Sequence, residues 1–169
     1  MDSLDTREWL LTNGLGGYAS GTVCDARTRS YHGWLVAALD PPNQRTLLLS
    51  HLEASLEIAG KIYALGTNVW TDNKIDPWGY QLLQSFEMDP TPTWVWGQDD
   101  WLLSRQLVMP YGLLHRGVDP HNASAQPQLT NRVLIQYRYL GNHLGILRLR
   151  PLISDRSFHS LQKQEPDLT

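Results

Sequence analysis

The chain has 169 residues, and its 14 Lys and Arg residues against 17 Asp and Glu residues give a formal net charge of −3. With 41% apolar and 18% charged residues, the composition is that of one folded globular domain rather than of a disordered segment. Because the sequence has no cluster of basic residues and no long apolar run, we expect neither a nucleic-acid partner nor a membrane partner.

The cysteine content and the N-terminal residues bear on cellular location. The single cysteine, Cys24, has no second cysteine with which to form an internal disulfide. The first residues include Asp2 and Asp5, whereas a secretory signal begins with basic residues. A cytoplasmic location is therefore predicted.

The first motif along the chain is a glycine-rich segment within residues 13–22. Residues 14–19 match the phosphate-binding pattern G-x-G-x-x-A, but residues 20–23 are small or β-branched where that pattern requires a helix. We therefore interpret the segment as a tight loop whose glycines allow positive φ angles and close backbone approach. Such a loop suits a ligand or a second domain, and a purely structural turn is an equal alternative. The polar residues that it would present are Asn13, Tyr18, Ser20 and Thr22.

A second motif, at residues 27–34, combines two arginines, a histidine and two aromatic residues. If residues 28–33 form an extended strand, Arg29 and Tyr31 lie on one face and His32 lies on the other. Aromatic rings beside fixed hydrogen-bond donors are common in sugar-binding sites, because the ring covers the apolar C–H face of the sugar. The alternative is a sheet edge that carries solvated arginines.

From residue 52 onward, alternation of apolar and polar residues with period two dominates the sequence. Arg105 falls on the same face as the apolar residues of its segment. The predicted strands occupy residues 52–58, 62–65, 94–96, 101–109, 133–139 and 146–152. We predict an all-β fold, a large antiparallel β-sandwich over residues 1–161, because turn signals rather than helical patterns separate these strands. Residues 115–130 are predicted to form a mobile loop, and residues 162–169 a polar tail or the start of a linker.

The sequence offers little for metal or acid-base chemistry. Its six histidines are spread singly, and no pair of His or Cys residues has the spacing of a zinc site, so we expect no metal and no other cofactor. The closest acid pairs are Glu53 with Glu57, on a predicted outer strand face, and Asp99 with Asp100, at a predicted turn. Neither pair is a persuasive candidate for catalysis.

A family resemblance rests on residues 8–22, EWLLTNGLGGYASGT, and on residues 28–33, TRSYHG. These residues resemble the N-terminal domain of the bacterial and archaeal type of glycogen debranching enzyme, the amylo-α-1,6-glucosidase family. Shorter matches extend the resemblance over nearly the whole chain, at residues 45–50, 66–68, 85–86, 109–110 and 150–152. It implies a β-sandwich of the kind that precedes the (α/α)₆ barrel in glucoamylase-like enzymes. The whole enzyme would hydrolyse α-1,6 branch points of glycogen or limit dextrins with acids carried by the barrel.

For this chain, the resemblance implies a non-catalytic domain, inactive by itself, that packs on the barrel and contributes to glucan binding. The expected partners are glycogen or another α-glucan and the (α/α)₆ catalytic domain of the same full-length chain. At residues 156–159 the family pattern Arg-Asp-x-His reads RSFH, so Ser157 supplies no acid. The residues expected to line the domain interface or the outer glucan pocket are Asn13, Tyr18, Arg29, Tyr31, His32, Arg156 and His159.

Two alternatives remain open at this point. The chain could be a stand-alone α-glucan-binding module, in which exposed tryptophans such as Trp70, Trp78 or Trp94 form a platform for sugar. These tryptophans are equally suited to a core. The second alternative is a scaffold that stabilises the barrel and contacts no sugar.

Overall fold

The computed structural model describes residues 4–41, 43–98, 100–111, 114–115, 128–129 and 131–161. In this part of the chain the regular structure is strand, with one short 3₁₀ helix at Gly79–Leu82 and no helix that could cross a membrane. The strands are β1 (Glu8–Thr12), β2 (Tyr18–Thr22), β3 (Gly33–Asp40), β4 (Gln44–Ile58), β5 (Lys61–Ala64), β6 (Thr67–Val69), β7 (Ile75–Trp78), β8 (Leu83–Glu87), β9 (Thr93–Gln98), β10 (Trp101–Val108), β11 (Leu114–His115), β12 (Gln128–Leu129), β13 (Leu134–Gly141) and β14 (Gly145–Ser157).

Two antiparallel sheets form the body of the molecule. One has the strand order β1-β2-β3-β4-β14, and β5 pairs with β4 beside this path. The other has the order β13-β10-β9-β8. Residues from both sheets form one hydrophobic core, which includes Leu56 and Ile58 of β4 and Trp96, Trp101 and Leu103 of β9 and β10. The predicted all-β antiparallel sandwich is confirmed.

The alternation in β4 explains how the larger sheet separates its two faces. Leu56 and Ile58 are buried in the core, whereas Glu53 and Glu57 lie on the outer face. The chain then reverses at residues 59–60, both of which have positive φ angles, and β5 pairs back onto β4 as predicted. On the other side of β4, β14 pairs along almost its whole length.

The hairpin of β9 and β10 carries the largest buried side chains of the core. Arg105 lies on the core face of β10, as the alternation predicts, and it is almost completely buried. Its guanidinium lies over the rings of Trp34, Trp94 and Trp96, at 4.5, 4.1 and 4.6 Å from their centroids. Both terminal nitrogens donate to the carboxylate of Asp25, at 2.7 and 2.8 Å. We call these five residues the Arg105 cage; burial of an arginine requires such a matched partner.

Two connections have features that the sequence pattern does not indicate. The turn between β13 and β14 does not make a hairpin, because β13 pairs with β10 in one sheet and β14 pairs with β4 in the other. Within the predicted loop at 115–130, His115 of β11 pairs with Gln128 of β12. Residues 116–127 and 130 lie outside the described part of the chain, as do residues 162–169, for which a tail or linker was predicted.

Candidate functional site

The glycine-rich segment forms the loop of the β1–β2 hairpin. Gly14 and Gly16 have φ angles of 73° and 94°, and the ring of Tyr111 packs so closely on Gly14 that a Cβ atom there would clash. A strand follows this loop, so the geometry of a dinucleotide-binding turn, which needs a helix, is absent.

Asn13 shapes this loop from inside. Its side-chain oxygen accepts hydrogen bonds from the backbone N–H groups of Leu15 and Gly17, at 2.9 and 3.0 Å. Its amide nitrogen donates to Oδ1 of Asn131 at 3.1 Å, and Asn131 is itself paired with the backbone of Ala38. Because the Asn13 side chain is fully buried and has these partners, it positions the loop and does not face solvent.

The segment at residues 28–33 is not the extended strand that the sequence predicted. The backbone N–H of His32 donates to the carbonyl of Arg29 at 3.1 Å, which closes a turn, and β3 begins only at Gly33. The turn leaves Arg29 and Tyr31 exposed and directs His32 inward. The turned conformation gives the buried imidazole two hydrogen-bond partners, Thr28 and Glu8.

The partners of His32 are Thr28 and Glu8. Nδ1 of His32 accepts from the backbone N–H of Thr28 at 3.3 Å, so the proton of the neutral ring lies on Nε2, which faces Oε1 of Glu8 at 3.3 Å. Burial lowers the pKa of His32 below its ordinary value, against the opposing effect of the Glu8 carboxylate. The guanidinium of Arg29 also binds Glu8 and, by this hydrogen bond, lowers the pKa of that carboxyl.

Tyr31 lies at the centre of an exposed aromatic group. Its backbone carbonyl accepts hydrogen bonds from the hydroxyls of Tyr18, at 3.0 Å, and Ser20, at 3.3 Å. Its ring lies 5.5 Å from that of Phe158 and 6.0 Å from that of His159, and its hydroxyl is 3.4 Å from Nδ1 of His159. We call Tyr18, Tyr31, Phe158 and His159 the Tyr31 cluster. Tyr31 keeps 45% of its surface exposed although its backbone is held in place.

Arg156 ties the end of β14 to the same turn. It donates to the backbone carbonyl of Ser30 at 2.7 Å, and also to the carbonyls of Ser157 and Ser160. Its role here is therefore to hold two segments together. The predicted residues that the structure brings to the turn at residues 29–32 are Tyr18, Arg29, Tyr31, His32, Arg156 and His159.

Two participants were missed by sequence reasoning. Glu8 was only the first residue of the matched segment, and no sequence signal paired it with residues 29 and 32. Phe158 occupied the unspecified position of the Arg-Asp-x-His pattern, yet its ring contacts those of both Tyr18 and Tyr31. An aromatic residue between Arg156 and His159 was the one available indication.

The surface around the Tyr31 cluster has two open depressions. One, of about 240 Å³, is lined by Glu8, Arg29, Tyr31 and His32 among others. The other, of about 480 Å³, runs along the glycine loop beside Tyr18 and Arg45. Leu10, an exposed residue of β1, lines both. In the described ranges, no three His, Cys, Asp or Glu side chains are arranged to hold a metal ion.

Comparison with known protein families identifies the chain. The model of the family described as "Glycogen debranching enzyme N terminal" matches residues 7–169. The chain belongs to this family. Searches among curated proteins and solved structures give no significant match. The matched range includes both the glycine loop and the Tyr31 cluster of this debranching-enzyme N-terminal domain.

The pKa values of the described carboxyl groups bear on acid-base chemistry. A general acid for glycoside hydrolysis needs a carboxyl group whose pKa is raised. Among the described residues, the carboxyls with displaced pKa values are Asp5, Glu8 and Glu53, and all three pKa values are displaced downward. Each is held in an ion pair with an arginine. The arrangement therefore supplies charged acceptors, hydrogen-bond donors and an open aromatic face.

Proposed function

We propose that this domain packs on the catalytic domain of a glycogen debranching enzyme and contributes to glucan binding through the Tyr31 cluster. The observation that carries the proposal is a half-exposed Tyr31 ring on a clamped backbone, beside open depressions with polar walls. Membership of the family makes an α-glucan the expected ligand. The catalytic acids would come from the partner domain.

The physical chemistry of this surface suits a neutral sugar. A pyranose ring presents an apolar C–H face that can stack on Tyr31, while its hydroxyls can bond to Arg29 and His159. Because hydrogen bonds from Tyr18 and Ser20 already fix the Tyr31 backbone, little conformational entropy remains to be lost on binding. A net charge of −3 is compatible with this ligand, because an uncharged glucan needs no basic field.

The isolated chain should not hydrolyse branch points. Inverting glycosidases hold two carboxyl groups roughly 6.5 to 9.5 Å apart around a water molecule. The carboxylate of Glu8, which lines the depression beside Tyr31, is committed to an ion pair with Arg29. Incubation of the 169-residue chain with a branched limit dextrin should release no glucose above the blank. Release of glucose would contradict a non-catalytic role.

The test of glucan contact uses the full-length enzyme. We expect Tyr31→Ala to lower kcat/KM for a branched dextrin several-fold with only a small fall in the thermal midpoint, and Tyr31→Phe to retain most of the activity because the ring remains. Leu144→Ala is the matched control, since Leu144 is fully exposed in the turn after β13 and lies outside both depressions. If all three variants match the wild type, the domain is a scaffold and makes no functional contact with sugar.

A stand-alone glucan-binding module remains the second candidate function, but one of the tryptophans predicted for its platform has to be removed. Trp94 cannot belong to an exposed platform, because its ring is completely buried against Trp9 and Phe86. Trp70 and Trp78 remain exposed, with 56% and 58% of their surfaces accessible. Of the two, Trp70 lines an open depression on the larger sheet and favours a sugar-binding surface that does not depend on the Tyr31 cluster.

A further inference from the structure

A second depression with ligand-binding character lies on the outer side of the larger sheet. It has a volume of about 480 Å³ and runs between β4, β14 and the short hairpin of β6 and β7. It shares no residue with the depressions beside the Tyr31 cluster. We call it the Trp70 groove; the residues that matter for its chemistry are Glu53, Asn68, Trp70, Asp76 and Arg150.

Trp70 is exposed but held in a fixed orientation. Its backbone N–H donates to the carbonyl of Lys74 at 2.8 Å, and its carbonyl accepts from Asn73 at 2.9 Å. Its indole N–H donates to the backbone carbonyl of Asp76 at 3.0 Å. Because the one polar atom of the ring is bonded within the hairpin, the part of Trp70 left for a ligand is its apolar face. A ring held in this way loses little freedom when a ligand stacks on it.

A fixed polar network also lines the groove. The carboxylate of Glu53 accepts from Nε of Arg150 at 2.9 Å and from the amide of Asn68 at 3.3 Å. The Asn68 oxygen in turn accepts from Arg27 at 2.8 Å. Arg150 keeps most of its side chain exposed, so guanidinium N–H groups remain free to donate to a ligand.

The charges of this network balance. Arg150 pairs with Glu53, and Arg148 pairs with Glu57 on the same outer face. Burial alone would raise the pKa of Glu53, but hydrogen bonds from Arg150 and Asn68 outweigh it and hold the pKa below the ordinary value. Glu53 is therefore ionised at neutral pH. An anionic or cationic ligand would meet no excess of the opposite charge here.

We propose that the Trp70 groove binds one or two glucose units of an α-glucan chain, at a site distinct from the Tyr31 cluster. A flat apolar face in one groove with balanced donors and acceptors fits a pyranose, whose ring carries C–H groups on its faces and hydroxyls at its rim. The choice of an α-linked glucan among neutral sugars rests on the proposed function. The pyranose would stack on Trp70 while its hydroxyls bond to Arg150, Glu53 and Asn68.

The proposal is tested by calorimetric titration of the 169-residue chain with maltoheptaose, with cellohexaose as the β-linked control. We expect saturable binding of maltoheptaose only. Trp70→Ala should weaken it about tenfold or more, whereas Trp70→Tyr should weaken it less because an aromatic face remains. Trp78→Ala is the matched control: Trp78 is equally exposed on the same hairpin but does not line the groove, so its loss should leave affinity unchanged.

Several outcomes would overturn the proposal. These are absence of saturable maltoheptaose binding, equal affinity for both sugars, wild-type affinity in Trp70→Ala, or equal losses in Trp70→Ala and Trp78→Ala. Tyr31→Ala in the same titration separates this site from the proposed function. If Tyr31→Ala abolishes binding while Trp70→Ala does not, the groove fails and the Tyr31 cluster stands. If the reverse holds, the groove is supported and glucan contact at Tyr31 is contradicted.

Discussion

Arginine and aromatic rings occur together in two regions of this molecule, and the regions differ in what surrounds them. In the Arg105 cage, three indole rings and Asp25 enclose the guanidinium, and almost no surface of Arg105 remains accessible. Beside the Tyr31 cluster, Arg156 donates to backbone carbonyls at the surface, and the Tyr31 ring remains partly open. The same residue types thus stabilise the fold in one place and offer contacts in the other.

The tryptophans divide in the same way. Those buried in the core are Trp9, Trp34, Trp94, Trp96 and Trp101, and they pack between the two sheets. Trp70 and Trp78 lie on the β6–β7 segment, where the side chains have no second layer above them. Composition therefore does not separate a structural aromatic residue from a binding one. What separates them is how many faces of the ring are covered by the rest of the fold.

The largest loss of stability is expected at Asp25. We expect Asp25→Ala to lower the free energy of unfolding by about 3–5 kcal/mol, because it leaves the buried charge of Arg105 without its partner. Urea denaturation followed by circular dichroism measures the effect. Asp25→Leu combined with Arg105→Met is the control, and it should recover much of the loss because no buried charge remains. A cost below about 1 kcal/mol for Asp25→Ala would show that the cage is not a tightly coupled pair.

A pH dependence should come from the same closed region. His51 is buried with its ring 4.6 Å from that of Trp34, and burial lowers its pKa from 6.5 to about 4, with the charge of Arg105 acting in the same direction. The unfolded chain therefore binds this proton at a higher pH than the folded one. Stability from His51 is complete above pH 6.5 and is lost as the pH falls from 6.5 to 4, by about 3 kcal/mol.

Urea unfolding at several pH values measures this loss. The charges of Asp25 and Glu53 act against it, so variants at those positions would change the slope and should be avoided in the measurement. His51→Gln removes the titrating group, and its stability should vary less between pH 6.5 and 4. Identical slopes for wild type and variant would assign the pH dependence to other groups.

The difference between the two regions also explains what could be predicted from the sequence. Alternation predicted β5, β9, β10, β13, β14 and the second half of β4, and placed Arg105 on the core face, because both depend on neighbours two residues apart. It could not predict the turn at residues 29–32, which depends on Glu8, or the meeting of Tyr31 with Phe158 and His159. Those contacts join segments that are far apart in the chain, and only the assembled sheets bring them together.

The family resemblance supplied the positions of the site residues but not their roles. It grouped Asn13 with Tyr31, although Asn13 is buried and Tyr31 is open. It also passed over Glu8 and Phe158, whose contacts hold the site in shape. A motif records which residues occur together, whereas burial and hydrogen-bond partners decide which of them face a ligand.

An intermediate effect is expected at Asn131, which links the glycine loop to β3. Its side chain forms two hydrogen bonds with the backbone of Ala38 and accepts one from Asn13. Asn131→Ala should lower the free energy of unfolding by about 1–3 kcal/mol, because the buried amide of Asn13 then lacks its partner. Urea denaturation of Asn131→Ala, Asn13→Ala and the double variant measures the loss and isolates the contact between the two side chains. We expect the double variant to lose less than the sum of the single losses. Additive losses would mean that the Asn13 contact contributes nothing.

The smallest change in stability is expected at Tyr31. Tyr31→Ala removes a ring that is nearly half exposed, so the free energy of unfolding should fall by about 0.5–1 kcal/mol. Trp34→Ala, three residues away in the Arg105 cage, should cost about 3–5 kcal/mol, because it opens a cavity beside a buried charge. Parallel urea curves give both values. If Tyr31→Ala proves as costly as Trp34→Ala, the Tyr31 cluster is a second structural core, and its exposed ring is committed to the fold rather than to a ligand.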